Sequence, residues 1–133
     1  MDQARFEQLV DQTIENIRHL LVVKGGEYAG SEDRLANFKR GAALVGVTPM
    51  QCLMVYMSKH YDAVSTFVRD EAAGKSRPRS EPIEGRIDDL INYCLLLKGL
   101  VREQSPTGAV EDLGEFNKLT TVDPRLARTW RSE

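Results

Sequence analysis

Apolar positions along the chain recur at steps of three and four residues, the spacing of one helical face, and nowhere alternate long enough to suggest a sheet. Phe6, Leu9, Val10, Thr13, Ile17, Leu20 and Leu21 form a first stripe, which predicts a helix from about residue 2 to residue 24. Gly25-Gly26 is expected to end it, because glycine accepts the left-handed conformation of a helix C-cap. A polar turn, GGEYAGSED, leads into a second helix over RLANFKRGAALVG. Ser31 or Asp33 caps it, Leu35, Phe38, Ala42 and Val45 share its inner face, and Gly46 stops it. The third helix has the clearest start: Thr48 as N-cap, Pro49 at the first helical position, and Gln51 where a capping box places Glu or Gln. Its face runs through Leu53, Met57, Tyr61, Val64 and Val68 to about Ala73. GKSRPRSEP reads as an exposed loop, after which Pro82 opens a fourth helix, IEGRIDDLINYCLLLKGLV, apolar nearly all round in its second half. The expected architecture is all-α. Four main helices form a bundle over residues 1–103, and residues 104–133 add a C-terminal appendage of a linker and short helical turns.

Composition narrows the picture to one soluble domain. The 133 residues are 41% hydrophobic and 29% charged, a balance unlike that of a disordered chain or a membrane protein. Eighteen Lys and Arg face 20 Asp and Glu, for a formal charge of -2. That argues against a broad basic nucleic-acid surface and leaves room for a local basic pocket. Cys52 and Cys94 fall within apolar helical patterns, so both are expected to be reduced and buried, in keeping with a cytoplasmic location. No stretch is both long and apolar enough to span a bilayer, and the acidic, amphipathic N-terminus is unlike a signal peptide.

Phosphate-binding, dinucleotide-binding and zinc-protease motifs are missing, and a Ser-His-Asp hydrolase is unsupported, with His19 and His60 the two histidines. Polar chemistry gathers in three places. In K-GGEY-A-GSEDRLANF, Lys24, Glu27, Tyr28, Arg34 and Asn37 could rim a ligand, cations taking phosphate and the ring a base. The plainer alternative is a hydrophilic interhelical loop. In SKHYD, Lys59, His60 and Tyr61 spread round the third helix, with His60 beside its apolar stripe; it is either a core-edge histidine or a polar group reaching into an interhelical pocket. In EPIEGRIDDLINY, Glu81, Glu84, Asp88 and Asn92 are spaced to share one helical face, and Asp89 is offset by about 100°. Carboxylates on a bundle-facing surface need a partner, which a hard cation such as Mg²⁺ bridging to phosphate would supply.

Taken in order, K-GGEYAGSEDRLANF, SKHYDAV and EPIEGRIDDLINYCLLL resemble the nucleotide-modification-associated domain 1 proteins, a phage-associated helical family, over roughly residues 10–102. The resemblance implies a role in viral nucleotide metabolism or base modification, in the cytoplasm of the host cell. More distantly, the last segment is similar to the acidic helix of the MazG-like and dimeric dUTPase all-α nucleoside triphosphate pyrophosphohydrolases. That likeness implies Mg²⁺ held by carboxylates from facing helices and cleavage between the α- and β-phosphates, with Glu84, Asp88 and Asp89 as catalytic, metal-holding residues. The first acidic motif of that group, a dense EExxE, has no match, since Glu27, Glu32 and Asp33 are spaced differently.

The expected function is therefore nucleotide recognition, with Mg²⁺-dependent pyrophosphohydrolysis as its enzymatic form. The alternatives are a non-catalytic binder that sequesters a nucleotide or nucleotide-derived signal, and an interaction bundle without a small-molecule site. The apolar circumference of the fourth helix, Leu90, Ile91 and Cys94 to Leu97 with Leu100 and Val101, predicts a homodimer or a dimer of dimers using that helix. Folding back of the appendage through Leu113, Phe116, Leu119, Leu126 and Trp130 would cover the same surface within one chain.

Overall fold

A computed structural model describes residues 1–25, 27 and 32–104, with Lys24 as backbone only. The elements are α1 (Gln3–His19), a π-helical turn (Leu20–Lys24), α2 (Ala36–Val45), α3 (Pro49–Ala72) and α4 (Ile83–Gln104). The described residues are thus all-α and contain no strand. Met1–Val101 forms a compact unit by itself. The expected appendage lies, beyond Gln104, outside the described residues, and so does Ser31.

Local chemistry explains the helix boundaries. The Asp2 side chain accepts the Arg5 N–H at 2.9 Å and caps α1. The expected capping box at α3 is present in both directions: Gln51 N–H donates to Thr48 Oγ1 at 3.2 Å, and Thr48 N–H donates to Gln51 Oε1 at 2.9 Å. Gly46 closes α2 at φ +72°, a left-handed conformation that suits glycine. Gly25 departs from expectation. Its φ of −66° is right-handed, and α1 passes into the π-helical turn instead of ending on a glycine cap. What requires glycine there is space: the Arg34 guanidinium crosses the position a Cβ would occupy. Asp33 also acts two positions before the cap of the second helix, which is Leu35: it accepts the Leu35 N–H at 2.9 Å and the Lys39 Nζ at 2.9 Å. Those donors, Lys39 first, hold the Asp33 carboxyl below its usual range.

The core lies among α2, α3, α4 and the residue leading into α2. Leu53 is fully buried and packs with Leu35, Phe38 and Leu100, while Met50, Tyr93, Leu96 and Leu97 close around them. Helices α2 and α3 turn through 101° at the Gly46–Thr48 connection. They approach so closely that a Cβ on Gly41 would lie 2.9 Å from Cys52 Sγ. Cys52 is buried as expected, but Cys94 is exposed, because it faces away from the Leu96–Leu97–Leu100 stripe that α4 turns inward. At the other end of α3, buried Asp70 holds the following loop, taking Arg77 Nε at 3.0 Å and Arg79 Nη2 at 3.5 Å. Among the described residues, no single helix is long and apolar enough to cross a membrane.

Candidate functional site

Polar side chains from every core element meet at a cavity of about 710 Å³. The π-helical turn and its end supply Leu20, Leu21 and Gly25; Arg34, Asn37 and Phe38 come from the start of α2. Helix α3 contributes Tyr56, Lys59 and His60, spaced i, i+3, i+4 on one face. Helix α4 contributes Arg86, Asp89, Asn92, Tyr93 and Leu96, again one face at helical spacing, and Glu81 joins from the loop before it.

Arg34 is positioned by the main chain: its Nη2 donates to the Leu21 carbonyl at 2.6 Å over Gly25. Three rings form the apolar wall. Phe38 stands edge-on to Tyr56 and Tyr93 at centroid distances of 6.0 and 6.4 Å, and Tyr93 lies 5.4 Å from the His60 ring. His60 is 5% exposed, and its Nδ1 lies 3.0 Å from Asp89 Oδ2. The pair is close in charge terms but poorly aimed as a hydrogen bond, so Nδ1 is left without a hydrogen-bond partner. Burial pushes the His60 pKa below its ordinary value, with Lys59 and Arg86 adding to the effect, and Asp89 and Glu81 opposing it. Two further buried atoms on this cavity, Asn37 Oδ1 and Asn92 Oδ1, also have no hydrogen-bond partner among the described residues. An orphaned buried polar atom costs about 1–3 kcal/mol, so three around one cavity, one from each of α2, α3 and α4, form a set of contacts ready for a ligand.

The sequence-based candidates separate cleanly. Arg34, Asn37, Lys59, His60, Asp89 and Asn92 are brought together. Tyr61 is 61% exposed and points elsewhere, and Glu27 is exposed and off the cavity. Tyr28 and the side chain of Lys24 lie outside the described residues. Glu84, Asp88 and Asp89 do not act as one group. Glu84 is exposed, Asp88 is half-buried off the cavity, and Asp89 faces His60 from the neighbouring helical stripe. Burial, then Glu84 and Asp89, raises the Asp88 carboxyl. Among the described residues, no three His, Cys, Asp or Glu side chains converge where a metal ion could be held. The donor set therefore does not fit the expected Mg²⁺ site: the α3 wall facing Asp89 carries Lys59 and His60 in place of carboxylates.

Arg86, Phe38, Tyr56 and Tyr93 line the cavity without having been singled out as site residues. All four had a signal. Arg86 and Tyr93 fall on the Asp89 stripe, Tyr56 lies three and four residues before Lys59 and His60, and Phe38 follows Asn37. Glu81 was grouped by helical spacing with Glu84, Asp88 and Asn92, but it precedes Pro82 outside α4 and reaches the cavity from the loop. A scan against family models finds no match, and comparisons with curated proteins and with solved structures find none either. The fold and site define an all-α domain with a cationic, aromatic pocket between its helices.

Proposed function

We propose that this domain binds a nucleotide or nucleotide-derived small molecule in the α2–α3–α4 cavity, as a binder that needs no metal. The observation that carries the reading is the coincidence, on one cavity, of three buried polar atoms without partners, three aromatic rings and the cations Arg34, Lys59 and Arg86. Rings offer a stacking surface for a base, amides read its polar edge in either orientation, and cations take phosphate. The likeness of three segments to the nucleotide-modification-associated domain 1 proteins supports the choice of ligand class. It also supports a setting in phage nucleotide metabolism within the host cytoplasm.

The enzymatic version, Mg²⁺-dependent pyrophosphohydrolysis through Glu84, Asp88 and Asp89, competes with this one. The binder is favoured because Asp89 is paired with His60 and parted from the other two carboxylates. Calorimetry against the common NTPs and dNTPs, with Mg²⁺ and with EDTA, separates them. Stoichiometric binding that persists in EDTA, with the ligand recovered intact, is the expected result. Turnover that requires Mg²⁺ and disappears in Asp89→Asn would replace the binder with the enzyme. Silence across the panel would end the nucleotide reading altogether.

The proposed assembly is a homodimer or a dimer of dimers. Ile87, Leu95 and Val101 of α4 are exposed, and closed twofold pairing is the commonest way to cover such a surface. A monomeric mass by light scattering at micromolar concentration would overturn it.

A further inference from the structure

The cations on this cavity, Arg34, Lys59 and Arg86, and those on the cavity beside it, Arg77 and Arg79, are not equally available. Arg34 is bonded to the Leu21 carbonyl. Arg77 and Arg79 are drawn to buried Asp70, and Arg79 also lies 4.9 Å from the centre of the Phe67 ring. Lys59 has no hydrogen-bond or ion-pair partner among the described residues. Among the described residues Arg86 is held by one surface carboxylate, its Nη2 lying 3.0 Å from Glu81 Oε2, with side-chain exposures of 24% and 56% respectively. Lys59, Glu81 and Arg86 also line a second cavity of about 430 Å³, so the three stand where the two cavities meet.

We propose that Lys59 and Arg86 form the subsite for the ligand's phosphate or other anionic group, and that Glu81 occupies it in the ligand-free protein as a built-in competitor. A guanidinium presents the same planar fork of donors to a carboxylate as to a phosphate, so the two compete for one place. Glu81 is suited to leave it. It lies outside α4, on the loop side of Pro82, and swings away without breaking a helical hydrogen bond. Its exposure keeps the ion pair weak, so an anion with two or more charges that also meets Lys59 displaces it. The nearby His60, buried and with its Nδ1 close to Asp89 but without a hydrogen-bond partner among the described residues, marks the same cavity as built for a ligand. Glu81 thereby sets specificity: singly charged anions do not displace it, and polyphosphates do.

The proposal rests on the nucleotide reading of the pocket, but inorganic pyrophosphate tests it separately. Calorimetry with pyrophosphate on the full chain compares wild type, Glu81→Gln, Arg86→Gln and Glu15→Gln. Glu15→Gln makes the same charge change at an exposed α1 position off this cavity. Glu81→Gln is expected to bind pyrophosphate about fivefold more tightly than wild type. Arg86→Gln, with its helical content checked by circular dichroism, is expected to bind at least about tenfold more weakly. Glu15→Gln should match wild type. Unchanged or weaker binding by Glu81→Gln, equal tightening by Glu15→Gln, or no pyrophosphate binding by either wild type or Glu81→Gln at millimolar concentration would overturn the proposal. The two ideas fail apart. Nucleotide binding that Glu81→Gln does not tighten sinks the subsite and spares the nucleotide reading; the expected pyrophosphate ranking without nucleotide binding does the reverse.

Discussion

Helices α1 and α3 are both amphipathic by sequence, and they finish in opposite circumstances. Along α3, Cys52, Leu53 and His60 are buried, and Leu53 is fully enclosed by residues from α2 and α4 and by Leu35. Along α1, Ile17 is buried, while Phe6, Leu9, Val10 and Ile14 of the same helix are exposed, Ile14 by 59%. The period of apolar residues therefore tells where a helix forms and which face wants cover, and says nothing about what covers it. The polar chemistry of the cavity follows the same divide. The unpartnered polar atoms and the cations that face them all sit on the α2–α4 side, where packing holds their geometry, with the π-helical turn as the joint between the two regions.

The contrast predicts a graded set of effects. Leu53→Ala should cost about 2–5 kcal/mol in urea unfolding, as a large buried side chain leaves a cavity. A loss below about 1 kcal/mol would mean that the α2–α4 core is not the stable part of the molecule.

Acid should weaken the same core. Because burial lowers the His60 pKa in the folded protein, the unfolded chain takes up a proton that the folded one declines. Stability is then full above the ordinary histidine value of 6.5 and falls as pH drops below it. One proton limits the slope to about 1.4 kcal/mol per pH unit. His60→Gln should flatten the dependence of the melting temperature between pH 7.5 and 5.5, and a wild-type curve already matching the variant would refute the assignment.

A smaller effect is expected at the joint. Gly25→Ala places a methyl group where Arg34 passes, which removes the Arg34–Leu21 hydrogen bond and should cost about 1 kcal/mol. Equal stability of Gly25→Ala and wild type would show that Arg34 does not depend on that path. Least of all should follow from Ile14→Gln on the exposed α1 face, within about 0.5 kcal/mol in the same unfolding assay. A loss several times larger would mean that this face is covered in solution and that the contrast between α1 and α3 is one of partners.

Much of the fold was legible because it is written in short-range chemistry. Thr48, Pro49 and Gln51 announce the start of α3 within four residues, and Gly46 announces the end of α2. The site was legible where polar residues interrupt an apolar face, as with Asn37, His60, Asp89 and Asn92. It failed where the answer depended on the rotation of one helix. Asp88 and Asp89 are adjacent in sequence and about 100° apart around α4. Which of them faces the cavity is settled by the packing of Tyr93, Leu96 and Leu100 against α2 and α3, a long-range choice. The role of Gly25 was hidden for a similar reason. The side chain that needs its space, Arg34, lies nine positions further along the chain.

The unequal placing of the two thiols equips the protein with its own reporters. Cys94 is exposed on α4, on the stripe of Ile87 and Val101, so a thiol reagent should label it readily in a single chain and more slowly in the proposed α4-paired dimer. Cys52 is wedged against Gly41 where α2 crosses α3, and a reagent reaches it after those helices part. Its labelling rate relative to that of Cys94 reads the free energy of that opening, within one molecule and without any mutation. A ligand seated between α2, α3 and α4 should slow the first rate and leave the second alone, so two natural cysteines turn occupancy of the pocket into a clock.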